Sequence, residues 1–292
     1  MIVYSCQHYI PQLKHIWKSV FGDSDDYIKL FFEKKYRDEE TLLYVENSKV
    51  LSMLFFLRYN MKVYENIYPS GYICGAATLP EYRGKGLMDS LLKRSFDIML
   101  KRGDFFSVLI PAEDKLYGFY SRYGYHPIFK RGFSVYVKKP KYMGNDSLSI
   151  SQSEDISRIN SLYQNIINKH RVVLLQNEFT YSIVVQIYKT YGNIYIIYDK
   201  KGIDEGYLFC QYYEKEKILW VKEIMADVDI LPEISVILMD MYHAEKLIFE
   251  GPYAGALSFA GVKTTGMLKV LKGDFNIARL EKEYPYMNMM LD

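Results

Sequence analysis

Cysteine is scarce: Cys6, Cys74 and Cys210 are the three in 292 residues, far apart and in no C-x-x-C spacing. That excludes a disulfide framework and a zinc knuckle, and a reducing cytoplasm is the expected setting. Long apolar runs are also missing. No stretch reaches the ~18 consecutive apolar residues of a membrane span, and the opening Met1-Ile-Val-Tyr-Ser-Cys-Gln-His has neither a positive flank nor an apolar core. The expectation is a soluble, unexported protein with no membrane partner. A dominant charge is lacking too, since 37 basic and 35 acidic residues leave +2, so phosphate-backbone binding is not the default and no nucleic-acid partner is expected. The five histidines show no metal spacing, so no metal is expected; His126 beside Pro127 reads as a turn residue. With 49% hydrophobic and 25% charged residues the chain is neither disordered nor low in complexity. Tyrosine alone is abundant, 29 residues, so a single tyrosine points to function only if its position adds something.

At roughly 150 residues per domain the length allows two domains or one large one. Periodicity predicts helices over 8–20 and 25–36, then strands over 41–46, 50–59 and 68–78, the first two forming a hairpin across Asn47-Ser48. After Thr78 the period changes to that of a helix, with Leu87, Met88, Leu91, Leu92, Ser95, Ile98 and Met99 on one face. Lys101 and Arg102 suit the negative end of its dipole and Gly103 its left-handed cap. A strand over 105–110, a helix over 115–122 and a closing strand over 129–137 follow. Lys138-Lys-Pro-Lys and Met143-Gly-Asn-Asp-Ser read as a linker. The second half starts with a helical region from Ser149, two helices, strands over 193–198, 205–213 and 218–225, a helix near 232–243, a strand over 246–249, and a final helix and strand. Its element order repeats the first half's. The expected fold is therefore α+β (α/β): two tandem copies, 1–140 and 149–292, each a mixed, mostly antiparallel sheet flanked by helices.

Chemistry concentrates where the strand ending Ala76-Ala77-Thr78-Leu79-Pro80 runs through Arg83-Gly84-Lys85-Gly86 into the helix opening Leu87-Met88. Glycines let a backbone turn sharply and approach a ligand, and a helix N-terminus offers unpaired amides and a positive dipole end. Such a place suits a phosphate or pyrophosphate, with Arg83 and Lys85 adding charge; a plain surface turn capping a helix is the alternative. A Walker A loop fails, because Leu79 stands where its first glycine belongs and Gly86 where its hydroxyl belongs. A dinucleotide fingerprint fails as well, because Asp89 replaces its third glycine.

The pattern Arg-x-x-Gly-x-(Gly/Ala), at Arg83, Gly86 and Met88, resembles the acetyl-coenzyme A segment of the GCN5-related N-acetyltransferase (GNAT) superfamily. Met88 stands where a small residue is usual; the tandem-domain branch that includes the enhanced intracellular survival acetyltransferases tolerates a large aliphatic residue there. The run Leu109-Ile-Pro-Ala-Glu-Asp-Lys-Leu-Tyr-Gly-Phe-Tyr-Ser-Arg-Tyr-Gly-Tyr-His-Pro looks like the second half of that family's cofactor site. The resemblance implies acetyl-CoA as co-substrate, held by residues 83–88 and by the main chain of Ala76, Ala77 and Thr78, and Tyr120 as the acid toward the departing thiolate. It implies direct transfer to a small-molecule or peptide amine. Small residues at 75–77 fit ordinary sheet packing equally well, and Cys74 suits a buried apolar role. Asp25, Asp26, Glu113, Asp114 and the terminal Asp292 all remain candidates for a general base. The second half has no glycine loop and presents Asp227 and Asp229 where an anion would sit, so that degenerate copy is expected to line the acceptor cleft without binding coenzyme A, leaving one active site per chain. A non-catalytic acyl-CoA-binding or sensing protein is the alternative from another class. Acceptor identity and oligomeric state stay open.

Overall fold

The structure is a computed structural model and describes residues 1–137, 147–252, 260–287 and 290. The chain opens with β1 (Ile2–Tyr4), α1 (Ile10–Phe21) and α2 (Asp25–Lys34), the last started by Ser24, whose hydroxyl accepts the Tyr27 amide at 3.2 Å. Strands β2 (Thr41–Glu46), β3 (Lys49–Val63) and β4 (Asn66–Thr78) form an antiparallel meander. Its first turn uses Asn47 and Ser48 at φ 48° and 63°, the left-handed pair that suits a two-residue hairpin. Then come α3 (Leu87–Arg102), β5 (Phe106–Leu109), α4 (Lys115–Ser121) and β6 (His126–Tyr136). The rest comprises β7 (Leu148–Gln152), α5 (Ile156–Ile167), β8 (Val172–Leu175), α6 (Glu178–Tyr191), β9 (Asn193–Asp199), β10 (Asp204–Tyr213), β11 (Ile218–Ala226), α7 (Leu231–Tyr242), β12 (Lys246–Pro252), β13 (Gly261–Val270) and α8 (Ile277–Glu281).

Two compact units emerge. The first holds Met1–Pro127 and Gly266–Ile277. Its sheet runs β1-β2-β3-β4-β5-β13, antiparallel except for the parallel pair β4/β5. The period of two along β3 divides the core. Leu54 and Phe56 join Leu91, Leu92 and Met99 of α3, while Phe55 faces α1 and α2, where Trp17 lies 5.5 Å from it and 4.5 Å from Phe31 between ring centres.

The second unit holds Ile128–Thr265 and Ala278–Met290. Its sheet runs β6-β12-β11-β10-β9-β7, again antiparallel except for one parallel pair, β11/β12. Helix α7 covers one face against Leu208, Val221, Leu247 and Phe249. The opposite face carries a polar centre: Glu223, 1% exposed, accepts hydrogen bonds from the hydroxyls of Tyr181, Tyr207 and Tyr286 at 2.9, 2.8 and 3.3 Å. Three phenols are what allows a carboxylate to be buried there.

The units correct several expectations. Their boundaries are not at 140 and 149, because β6 joins the second sheet through β12 (Leu247↔Tyr136 to Pro252↔Arg131), while residues 266–270 of β13 join the first through β5. Alternation along a strand reveals its buried face and not its partner, so local pattern could not place either strand. Residues 148–152 are the strand β7, where a helical region was expected, and the short strands β1 and β8 carried too few residues to show a period. The last strand precedes the last helix instead of following it; Tyr286 makes only an isolated parallel bridge to Val173. The expected linker residues 138–146 lie outside the described residues.

Candidate active site

Strand β4 changes character at Gly75. Met53 faces Ala77 and Phe55 faces Cys74, so Gly75 and Ala76 together oppose Leu54 in a bulge. Gly75 has φ +53°, and a Cβ there would lie 2.5 Å from Phe55 Cδ2 and 2.9 Å from Trp17 Cζ3, so both conformation and space demand glycine. On the other edge, the parallel pairing with β5 covers only Ser70↔Phe106 to Ile73↔Leu109. Beyond it, Gly75–Thr78 continue without a strand on the β5 side among the described residues, which leaves their main chain available to a ligand. The β3 side is held firmly, with the Ser52 hydroxyl donating to the Ala77 carbonyl at 2.9 Å and lying 2.8 Å from Thr78 Oγ1.

This open edge leads into the glycine loop. A 3-10 turn at Pro80–Tyr82 delivers Arg83, then Gly84 and Gly86 take φ +77° and +74°. A Cβ on either glycine would meet nothing within 4 Å, so it is the positive φ and not crowding that calls for glycine. Gly86 is the N-cap of α3 and supplies no capping side chain. Among the described residues the amides of 84–89 have no hydrogen-bond acceptor. Unpaired amides at the start of a 16-residue helix form an anion cradle. Arg83 Nε donates to the Thr78 carbonyl at 3.2 Å, tying the loop to the end of β4. Lys85 lies 4.8 Å over the Tyr82 ring, which Lys49 approaches at 5.0 Å. Asp89 is answered by Lys93 at 2.9 Å and by the Tyr123 hydroxyl at 2.9 Å; these two hydrogen bonds hold its carboxyl below the usual range. The acid that breaks the dinucleotide pattern thus has partners of its own.

Tyr120 sits on α4, 7% exposed, in the same apolar cluster as Ala76, Ile73, Leu91 and Met88. Leu87 is buried beside that cluster at the start of α3. Burial first, then the neighbouring Tyr123 and Cys74, push the Tyr120 phenol up to about 12. Only burial and nearby groups act on its hydroxyl, with no hydrogen bond among the described residues, whereas the adjacent Tyr125 hydroxyl lies 2.6 Å from that of Ser107. The sequence-derived residues therefore come together: 76–78 on the open edge, 83–88 in the cradle, and Tyr120 on the α3 face of the same sheet.

The base candidates do not converge. Asp25 pairs with Lys18 at 3.1 Å and is 91% exposed, Glu113 pairs with Lys115 at 2.5 Å, Asp26 is exposed in the first turn of α2, and Asp114 precedes α4. Asp292 lies outside the described residues. One titratable group escaped sequence reasoning. Lys35, 7% exposed, donates to the Tyr59 hydroxyl at 2.9 Å, and burial lowers its amine to about 8, partly offset by Cys74 and Glu40. Nothing in the run Lys34-Lys35-Tyr36 distinguishes it from a surface lysine. Among the described residues no cluster of His, Cys, Asp or Glu could hold a metal ion, and no helix is long and apolar enough to cross a membrane.

A bulged strand diverging from a parallel neighbour and ending in an open glycine cradle has room for an anion at the helix start and an extended arm along the strand edge. The family model for the acetyltransferase (GNAT) domain matches residues 5–128 and marks that stretch as a GNAT-type acyltransferase domain. The whole fold is shared with solved structures of low identity. A conserved protein from Enterococcus faecalis V583, described as a probable N-acyltransferase, aligns at TM-score 0.77 and 15% identity, covering 93% of this chain and 72% of that one. Eis1 from Mycobacterium abscessus aligns at 0.70 and 9%, covering 93% and 74%. The N-myristoyltransferase of Saccharomyces cerevisiae with bound myristoyl-CoA aligns at 0.55 and 10%, covering 92% and 78%. No curated protein matches the chain.

Proposed function

We propose that the chain is an N-acetyltransferase that moves an acetyl group from acetyl-CoA directly to a primary amine, at one site, in the first unit. The observation that carries this reading is the β4 edge at Gly75–Thr78, which carries no strand on the β5 side among the described residues and leads through 79–83 to the acceptor-free amides of 84–89. The cradle fits a pyrophosphate and the edge fits the amides of a pantetheine arm. When bound, acetyl-CoA supplies a thioester, an activated acyl carbon with a thiolate leaving group. The residues of the chain do the rest. Amides 84–89 and the α3 dipole hold the diphosphate. Main-chain groups of Ala76, Ala77 and Thr78 orient the arm and donate to the carbonyl oxygen as negative charge grows on it.

Tyr120, clustered with Ile73 and Ala76 of the β4 edge, would serve the sulfur. Its phenol at about 12 stays protonated at neutral pH, and a thiol ionises near ~8.5, so the hydroxyl donates to the thiolate without ending as phenolate. The proton lost by the attacking amine ends on the thiol, so charge balances across the step. In the second unit the connection after β11 contains Asp227 and Asp229 and no glycine, which favours one coenzyme site per chain.

The test is a screen of amines with acetyl-CoA, following free thiol. Turnover with at least one primary amine, abolished by losing the cradle, is expected. Tight acetyl-CoA binding with no turnover on any amine would favour the sensing protein instead.

A further inference from the structure

The second unit repeats the geometry of the first without its cradle. The parallel pairing of β11 with β12 stops at Val221↔Phe249, while β11 runs on to Ala226 and β12 to Pro252. Where the strands part there is a cleft of about 450 Å³, within the size range of small-molecule sites. Its floor is apolar, made by Ile166, Ile224, Leu231 and Pro252. Its rim is charged with both signs. Arg171 is committed to Glu283, whose two carboxylate oxygens lie 3.2 Å from its Nη1. Lys169, just beyond α5, and Lys282, just beyond α8, form no ion pair among the described residues. The carboxylate of Asp227, one residue past β11, accepts the Asp229 amide at 3.3 Å and has no cationic partner among the described residues.

A phosphate would meet Asp227 and a simple amine would meet two lysines. A zwitterion satisfies both, with its carboxylate toward Lys169 and Lys282, its ammonium toward Asp227, and an apolar side chain on the floor. We propose that this cleft binds a free α-amino acid with an apolar side chain of about leucine size. The site belongs to the second unit alone and does not depend on the acetyl-transfer reading.

Calorimetric titration of the full chain tests it with three probes: L-leucine, 4-methylpentanoate, which lacks the ammonium, and 3-methylbutylamine, which lacks the carboxylate. Leucine should bind about tenfold tighter than either, as one charge-assisted hydrogen bond is worth. Asp227→Asn should bring leucine down to the level of 4-methylpentanoate and leave the latter unchanged, whereas Lys169→Met with Lys282→Met should weaken both together. Ala226 also lines the cleft, and Ala226→Trp, which would fill it, should remove all binding. The exposed Asp227 keeps the test independent of any folding defect in that variant. Leucine binding no better than 4-methylpentanoate, no leucine heat at millimolar concentration, or an equal response of all three probes to Asp227→Asn would overturn the proposal. Coenzyme A titrated into Asp227→Asn should behave as in the parent chain; a parallel loss there would mean a global effect and overturn it too.

Discussion

The Tyr120 hydroxyl, in a buried cluster and without a hydrogen bond among the described residues, is the most telling single group in the first unit. Tyr120→Phe keeps the packing against Leu91 and Tyr125, so stability should change by less than about 1 kcal/mol, while kcat falls roughly a hundredfold with little change in KM for acetyl-CoA. Steady-state kinetics beside a urea denaturation curve check both halves. Lys35 behaves oppositely. Its folded amine titrates near 8 and its unfolded one near 10.5, so between those values the unfolded chain binds more protons and this group's contribution to stability rises with pH. Below pH 8 the full cost is present, on the order of 3 kcal/mol at about 1.4 kcal/mol per unit. Lys35→Met should therefore stabilise the protein below pH 8 by up to that amount, less the lost Tyr59 bond, and the gain should vanish above pH 10.5 when midpoints are compared across pH. Tyr120 could be singled out from 28 other tyrosines by its place in a motif, and the role proposed for it waits on the kinetic test. Lys35 was not, because burial of a lysine depends on what folds over it.

At the level of the element, the two glycines of positive φ make distinct demands. Gly75→Ala adds a clash with Phe55 and Trp17 to a strained backbone, and should cost roughly 3 kcal/mol by urea denaturation. Gly86→Ala meets no neighbour, so its stability cost should be nearer about 1 kcal/mol, and its larger effect should be on coenzyme A affinity, weakened about tenfold in calorimetry because the new methyl stands at the cradle. Both elements flanking the cradle could be read ahead of the structure, since the switch from strand to helix period at Thr78 and the Gly103 stop are local signals. The bulge at Gly75 and Ala76 was not readable. It exists only relative to β3, and small residues alone suit flat sheet equally well.

For the whole molecule, the instructive point is which strands complete which sheet. A chain cut to 1–140 retains the cradle and Tyr120 but leaves β5 without the strand at 266–270. It should be poorly soluble and bind coenzyme A weakly, and supplying residues 261–277 as a separate peptide should restore binding; a well-behaved, fully active fragment would contradict the interleaving. Two sheet-and-helix units were legible from the recurring order of elements, while the interleaving was hidden because it rests on contacts between residues more than a hundred positions apart.

That arrangement also sets a timetable for synthesis. The edge of β5 is complete by residue 109, yet its neighbour is not translated until residue 270, about 160 residues later. At ~5–20 residues per second a nascent first half waits roughly 8–30 s with a bare strand exposed. During that interval the ribosome-bound chain is a natural client for chaperones, and the amount of active protein recovered from cells should respond more to trigger-type holdases and growth temperature than its finished stability alone would suggest.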